Sequence, residues 1–343
     1  MGEGSCPQGL APIARRLLFE GQPRDHGVTS EVAAGVRGRP GQLVVLDDRA
    51  GVWVHFDETG VQRRVRLSLG QADQVSAAAH DDVLVVATTL GSPGGIRVAG
   101  YDAVGIQLWA QRVDAATPMP ADPSVVAGSG RVAVAWTGQA QAWVQVFDAH
   151  TGVPVSGGAR LLGLTSAVTL AATDAGFVAA LAGEPGVSHS VGPDGGVGPA
   201  VQLGVATARR PAVTEGSRGL RAVVQSSREP GIAVVGLEGL GWHPRLAPSP
   251  GWSTKGDGAP RAVRMAGEDV VVWQQRRSGQ LLASQVPAAG QASFPAPILD
   301  DAGLIDLLSD GGQAVAVTLA PESPTRTRIE GTWLGCIKGA EAL

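Results

Sequence analysis

Three connecting segments of the sequence carry the side chains that are best suited to contact a ligand. Together they supply Trp252, Lys255, Asp257, Arg24, Asp25, His26, Asp300 and Asp301. The longest segment, 247–260, is rich in proline and glycine, as expected of a loop, and an exposed Trp252 would add contact area beside a cation and an acid. A Trp252 folded down onto neighbouring strands is the equal alternative. We predict a binding site from these residues and no catalytic set among them.

Residues with the chemistry for catalysis or metal binding are scattered along the chain. The six histidines occur in six different contexts without His-x-x-x-His spacing or a cysteine cluster, and no Gly-x-Ser-x-Gly motif is present. The sequence therefore predicts neither a metal site nor a cofactor. Enzyme activity stays open as the minority interpretation.

Charge and hydropathy argue against two further classes of protein. The formal net charge is -4 and charged residues make up only 17% of the chain, so the basic surface that neutralises phosphates in nucleic-acid binding is missing. No apolar stretch reaches the roughly 18 residues that are needed to cross a bilayer. We expect no nucleic-acid partner and no transmembrane span, while the oligomeric state stays open.

The elements that must position the candidate residues come from one sequence unit that recurs seven times. Its marker is a short apolar run at 43–46, 84–87, 132–135, 177–180, 222–224, 270–273 and 314–317. The runs start 41 to 48 residues apart, which is the length of a four-stranded propeller blade. We predict an all-β fold in a single domain, 1–343, as a seven-bladed β-propeller with four-stranded antiparallel blades. The first six blades are predicted at 29–70, 71–116, 117–164, 165–204, 205–246 and 247–297.

A turn with glycine, and in most units an acid, separates the third and fourth strands of the unit, as at 56–60, 101–105 and 147–152. Glycine supplies the positive φ that tight hairpins need, and an Asp side chain accepts hydrogen bonds from nearby backbone amides. These acids are therefore predicted to form turns rather than to bind ligands.

The seventh unit, 298–336, lacks a fourth strand. Its three strands are predicted at 305–308, 314–319 and 325–334, whereas 11–20 resembles the outer strand at 62–68 and has no strands of its own before it. We predict that 11–20 is the outer strand of blade seven and closes the ring.

This closure makes a prediction about the only two cysteines, Cys6 and Cys336. If 11–20 pairs antiparallel with 325–334, the two thiols fall at the same end of the seam and can form a disulfide. Such a bond would close a loop of roughly 330 residues and would stabilise the fold by about 5 kcal/mol in the chain-entropy description. Two free thiols, as in cytosolic proteins, are the alternative.

Two stretches resemble known groups of propellers. The sixth unit, with VVWQQRRSG at 271–279, resembles the repeats of secreted and surface bacterial β-propeller proteins, and the repeat likeness extends over 42–334. The segments FDAHTG at 147–152 and YDAVGIQLW at 101–109 look like the repeats of quinoprotein-like propellers, which include outer-membrane assembly scaffold lipoproteins. That second likeness covers two blades and does not imply a quinone site.

The function depends on the loops of one face. With the strands of a blade labelled a to d from the innermost outward, the loops between strands b and c and between strand d and the next strand a share one face of a propeller, here called the d-a face. The leading hypothesis is a non-catalytic protein that binds a protein or glycan partner through this face. It would lie outside the cytoplasm, whether secreted, periplasmic or surface-attached, provided that a signal peptide is absent from this sequence.

Two alternatives stay open. The first is a hydrolase or lyase that acts on a polysaccharide, with Asp25, Asp47 and Asp300 converging at the channel mouth and two carboxylates roughly 5 to 10 Å apart. The second is a structural lipoprotein scaffold in a bacterial envelope, anchored through a cysteine near the start of this sequence. Convergence of three or more acids, histidines or arginines at the mouth of a deep channel would favour the enzyme, and a flat face rimmed by Trp252 would favour partner binding.

Overall fold

A computed structural model describes most of the chain. The described residues are 10–21, 33–37, 39, 41–47, 50–70, 72–90, 94–113, 120–216, 219–228, 231–238, 241–246, 258–265, 267–275, 277–286, 292–293, 295–300, 302–309, 313–320 and 327–336. Their regular secondary structure is all strand, which confirms the predicted all-β class. In this part of the chain, no helix is long and apolar enough to span a membrane.

The strands follow one another along the chain in antiparallel sets of four. The first set contains β2 (Ala33–Arg37), β3 (Gln42–Asp47), β4 (Ala50–Asp57) and β5 (Gly60–Leu67). The second contains β6 (Ala72–His80), β7 (Val83–Leu90), β8 (Ile96–Tyr101) and β9 (Gln107–Val113). The third contains β10 (Ala121–Gly128), β11 (Arg131–Gly138), β12 (Gln141–Asp148) and β13 (Arg160–Leu164). The fourth set contains β14 (Val168–Thr173), β15 (Gly176–Leu181), β16 (Val187–Val191) and β17 (Val197–Gln202). The fifth contains β18 (Ala212–Gly216), β19 (Gly219–Gln225), β20 (Ile232–Glu238) and β21 (Gly241–Leu246). The sixth contains β22 (Arg261–Met265), β23 (Glu268–Gln274), β24 (Leu281–Val286) and β25 (Ala296–Leu299).

The last set joins the two ends of the chain. It contains β26 (Gly303–Ser309), β27 (Ala314–Ala320), β28 (Thr327–Cys336) and, from the other end, β1 (Leu10–Gly21), in the spatial order β1-β28-β27-β26. Strand β1 runs antiparallel to β28, with Leu10 opposite Cys336 and Gly21 opposite Thr327. Leu18 and Phe19 of β1 are buried in one apolar cluster with residues of β28, so the pairing is fixed by packing as well as by backbone hydrogen bonds.

The apolar runs of the repeat form the second strand of each set. Every described residue of β15 is buried, and in β7 and β19 only one end residue is not. Such strands are covered by neighbouring sheets on both faces, and a continuous Val, Ala and Leu run suits that position because neither face needs polar side chains. The outer strand β5 instead alternates, with Arg64 and Arg66 exposed and Val65 and Leu67 buried.

The first strands of the sets lie innermost and are in contact one after another. Contacts join β2 to β6, β6 to β10, β10 to β14, β14 to β18, β18 to β22, β22 to β26 and β26 back to β2. Strands β2 and β6 also pair in parallel, with Val36 opposite Ala77, and this bridge joins their two sets into one eight-stranded sheet. The inner strands surround a cavity of about 450 Å³, called the central channel below.

The turns between third and fourth strands form as predicted. Asp57 Oδ1 accepts hydrogen bonds from the backbone N–H and the hydroxyl of Thr59, at 2.8 and 2.6 Å. Asp148 Oδ1 accepts from the backbone N–H of Thr151 at 3.0 Å. These acids are turn formers, as the sequence indicated. One expected boundary is displaced: β25 runs through Leu299, two residues past the limit of 297 that was predicted for the sixth blade.

Candidate functional site

Most of the predicted binding residues lie outside the described part of the chain. This holds for Trp252, Lys255, Asp257, Arg24, Asp25, His26 and Asp301, for Cys6, and for the side chain of Asp47. Asp300 is described and exposed, and its Oδ1 accepts a 2.9 Å hydrogen bond from the side-chain amide of Gln280. Gln280 lies between β23 and β24, so this bond joins two connectors of the d-a face. Asp300 is not among the residues that line the central channel.

Charged side chains converge instead inside the central channel. Its described lining contains Arg37, Arg39, Arg210, Arg261, Arg264 and Asp306. Five arginines face one carboxylate there, although the chain as a whole has a formal charge of -4. Arg264 has a carboxylate nearby outside the lining, since its Nη1 lies 3.6 Å from Asp269 Oδ1. Arg37, Arg210 and Arg261 with Asp306 form the charged centre of the channel and are called the arginine cluster below.

Arg210 ties three inner strands together at the end of the channel where the d-a connectors enter. It directly precedes Pro211 and β18. Its Nε donates to Val168 O of β14 at 3.1 Å, and its Nη2 donates to Pro123 O of β10 at 3.1 Å. Arg210 is therefore partly a structural clamp, because its fork of donors satisfies backbone carbonyls of two neighbouring sheets.

Arg261 and Asp306 connect the last two sets of strands to the first. Arg261, the first residue of β22, donates from Nε to Ile305 O at 3.2 Å and lies 4.0 Å from Asp306 Oδ1. Asp306 Oδ2 accepts from the backbone N–H of Gly35 in β2 at 3.0 Å. A Cβ at Gly35 would lie 2.1 Å from a Leu308 methyl group, so a larger residue here would have to displace the Leu308 side chain. Both Asp306 oxygens are engaged, because Oδ1 also accepts from the N–H of Leu307 at 2.8 Å.

Arg37 reaches across the channel. It ends β2, yet its Nη1 donates to Leu170 O of β14, three inner strands further round, over a long 3.4 Å. Burial lowers the pKa of the Arg37 guanidinium, Asp306 raises it, and the nearby cations Arg210 and Arg261 lower it further. The guanidinium stays protonated at neutral pH, because arginine is not deprotonated in proteins. A positive charge is thus held in an unfavourable environment at the centre of the channel.

Comparison with known proteins identifies the architecture. The sequence matches no family model and no curated protein. Among solved structures, the β-propeller domain of Myceliophteria thermophila Cps50 (Swd1) is similar with a TM-score of 0.60 and 14% identity, over 93% of this chain and 100% of that one. The Dos1 propeller is similar with a TM-score of 0.57 and 12% identity, over 92% of this chain and 82% of that one. The fold is a β-propeller. At these identities the likeness concerns the fold alone.

The chemistry available in the propeller's channel is that of anion binding. Arginine guanidinium groups bind carboxylates and phosphates through paired hydrogen bonds. The described lining contains no His, Cys, Lys or Tyr, and its one carboxylate is held by two backbone N–H groups. A pair of carboxylates for glycoside hydrolysis is therefore not built from the described lining. Within the described residues, no group of three or more His, Cys, Asp or Glu side chains could hold a metal ion.

The sequence did not predict the arginine cluster. The predicted binding residues lie in loops, whereas Arg37 and Arg261 lie on inner strands and Arg210 lies two residues before the inner strand β18. A usable signal was present, since the inner strands are rich in small and apolar residues, among which an arginine is conspicuous. Arg210 and Arg261 also each adjoin a proline near the point where the chain enters the innermost strand of their units.

Proposed function

We propose that this protein is a non-catalytic propeller that binds a protein or glycan partner through its d-a face, with acidic groups of the partner directed at the channel mouth. The convergence of arginines in the channel is the observation that carries the proposal. Arg210 and Arg261 stand at the entry ends of β18 and β22, which is the end that opens towards the d-a connectors. A partner that approaches this face meets cations first.

The charge distribution supports an acidic partner. A narrow channel lined by one sign of charge focuses the electrostatic field, which raises the local concentration and the association rate of groups with the opposite sign. Here the positive field is local, because the whole chain carries a formal charge of -4. Selection of an acidic group at one mouth therefore fits the charges better than general adhesion to a negative surface.

The same proposal includes the closure of the ring. We propose seven blades within the predicted limits, except that the sixth extends through Leu299, with β1 completing the seventh and with a disulfide between Cys6 and Cys336. The contact of β26 with β2 and the pairing of β1 with β28 support closure. Cys336 lies opposite Leu10, four residues after Cys6, and none of the described cysteines is free. A stable disulfide would favour a compartment outside the cytoplasm.

Intact mass tests the disulfide. Protein purified under oxidising conditions should gain 2 Da on reduction, and a Cys336→Ser variant should not. An unchanged mass in the wild-type protein would rule the bond out and would remove the argument for an extracytoplasmic location, without affecting the binding proposal.

Binding to immobilised polymers tests the partner chemistry. Oligogalacturonate represents an acidic glycan and poly-glutamate an acidic protein surface, with dextran as the neutral control. We expect retention of at least one acidic polymer, loss of most of it in Arg261→Gln, and no loss in Arg66→Gln, an exposed arginine of the outer strand β5. Equal retention of dextran, or equal losses in the two variants, would contradict the proposal. Trp252→Ala tests separately whether the 247–260 connector takes part.

A further inference from the structure

We infer that the central channel is a binding site for a small molecule that carries carboxylate or phosphate groups on a carbon body, with Arg37 as its central anchor and Arg210 and Arg261 as the flanking cations. The site lies within the ring of inner strands. It shares Arg210 and Arg261 with the proposed function, and soluble probes together with Arg37 variants distinguish the small-molecule site from partner binding at the d-a face.

Arg37 provides the strongest evidence because most of its hydrogen-bonding capacity is unused. A guanidinium has five N–H donors, and the described residues accept from Arg37 through one long bond, to Leu170 O at 3.4 Å. No described carboxylate forms an ion pair with it. Asp306 influences Arg37 only electrostatically, and the oxygens of Asp306 already accept from the backbone of Gly35 and Leu307.

Arg37 also lacks a counter-charge in contact within the described part of the chain. Within the described lining of the channel, Asp306 is the one carboxylate, and it acts on Arg37 without forming an ion pair with it. Charges that are withdrawn from water and left unpaired destabilise a fold, and a complementary ion relieves this cost. The lowered pKa of Arg37 has the same cause, since burial and the two neighbouring cations disfavour its charged form. A carboxylate or phosphate group of a ligand would supply the counter-charge that Arg37 lacks among the described residues.

The dimensions and walls of the channel restrict the ligand to a small molecule. A volume of about 450 Å³ lies in the range typical of pockets for metabolites and cofactors. Between the arginines the wall consists of small apolar residues such as Ala34, Val126 and Ala171. These surfaces suit the carbon skeleton of a ligand, whereas a bare inorganic anion would leave them without contacts. A neutral sugar would leave the guanidinium donors without a counter-charge.

Calorimetric titration with two probes tests the inference and separates the two possible anion types. Citrate represents polycarboxylates and fructose 1,6-bisphosphate represents phosphate esters, with glucose and ionic-strength-matched sodium chloride as controls. We expect saturable binding of at least one probe near one molecule per chain. Binding of citrate alone assigns carboxylates, binding of the bisphosphate alone assigns phosphates, and binding of both assigns oxyanions generally. No heat above the chloride control for either probe would overturn the inference.

Matched variants locate the binding site. Arg37→Gln should lower the affinity for the probe that binds about ten-fold or more, because a charge-assisted hydrogen-bonded contact is lost. Arg66→Gln, on the outer strand, should bind like the wild-type protein. Arg37→Lys keeps the charge and offers a second test if the glutamine variant does not fold, with weaker binding expected because the planar fork is lost. Wild-type affinity in Arg37→Lys and in Arg261→Gln together would overturn the assignment to this channel.

Discussion

Two arginines in this propeller, Arg221 and Arg37, differ in whether a described carboxylate is in contact with them. Arg221 of β19 is buried and donates from Nη1 to Asp269 Oδ2, while Asp269 also accepts from the Thr214 hydroxyl at 3.2 Å and lies 3.6 Å from Arg264 Nη1. Arg37 in the channel has two cations nearby and no described carboxylate in contact. Arg221 is therefore paired within the fold, whereas Arg37 is not paired with any described acid.

The difference separates a structural role from a binding role. Asp269 is fully buried between β18, β19 and β22, where no ligand could enter, so its charges must be matched by the chain itself. The arginine cluster lines an open cavity, where a missing counter-ion can come from solution. The same residue type therefore stabilises the fold in one place and recruits an anion in the other. Four substitutions test this contrast.

The largest effect is expected for Asp269→Asn. This change leaves Arg221 buried beside Arg264 without a counter-charge, and breaking a buried ion pair from one side costs about 3–5 kcal/mol. Urea unfolding should show a loss of this size in the free energy of unfolding. The double variant Arg221→Met with Asp269→Leu should recover much of it. A loss below about 1 kcal/mol in the single variant would show that the pair is hydrated and would remove the contrast.

A smaller effect is expected for Asp306→Asn. The amide oxygen can keep one of the two backbone hydrogen bonds, so the free energy of unfolding should fall by about 1–3 kcal/mol. The excess positive charge of the channel rises at the same time, so citrate or the bisphosphate should bind more tightly than to the wild-type protein. Asp102→Asn, in an exposed turn, is the control. Weaker anion binding in Asp306→Asn would mean that this carboxylate organises the site rather than opposing the ligand.

Arg37→Gln should change stability little or in the favourable direction. Removal of an unpaired cation relieves repulsion from Arg210 and Arg261, and we expect the free energy of unfolding without anions to stay the same or rise by up to about 1 kcal/mol. Addition of the probe that binds, citrate or the bisphosphate, should then raise the free energy of unfolding of the wild-type protein and leave that of the variant unchanged. A loss of several kcal/mol would show that Arg37 belongs with Arg221 as a structural arginine.

The smallest effect concerns Asp148, whose carboxylate accepts hydrogen bonds within its own turn and from Arg131 of β11. The backbone N–H and hydroxyl of Thr151 lower the pKa of Asp148. Because the folded-state pKa lies below the unfolded-state value, this stabilisation is present above the unfolded-state pKa and is lost as pH falls through the folded-state pKa. The free energy of unfolding of Asp148→Asn, from urea titration, should therefore lie below the wild-type value at pH 6 by less than about 1 kcal/mol. The difference should shrink as the pH falls through the folded-state pKa of Asp148, and a constant difference would point to packing instead.

The sequence was sufficient for the parts of the fold that depend on local pattern. Apolar runs such as 177–180 and turns such as 147–152 repeat at a similar spacing, and each is a property of a few neighbouring residues. The pairing of β1 with β28 agrees with the likeness of 11–20 to an outer strand, while the closure of a seven-bladed ring stays a proposal. These features could be predicted because each strand and each turn is determined by the residues that form it.

The arginine cluster could not be predicted in the same way because it is assembled over long distances. Arg37 and Arg261 lie 224 positions apart in the sequence, and only the arrangement of inner strands brings them to one channel. Their separate neighbourhoods are ordinary strand sequences. The loop residues that seemed most suited to a ligand, such as Trp252, lie outside the described residues, so their part in binding stays a prediction.

The pairing of β1 with β28 has a consequence for synthesis of the protein. About 300 residues separate the two strands, and at 5–20 residues per second the first strand waits roughly 15–60 seconds for its partner to be translated. An unpaired strand of this length is a template for pairing with other nascent chains. Pro12, Arg15 and Arg16 are exposed along β1, and proline and charge on an edge hinder such pairing. The exposed residues of β1 thus hinder pairing with other nascent chains until β28 is translated and Glu330 can form an ion pair with Arg15.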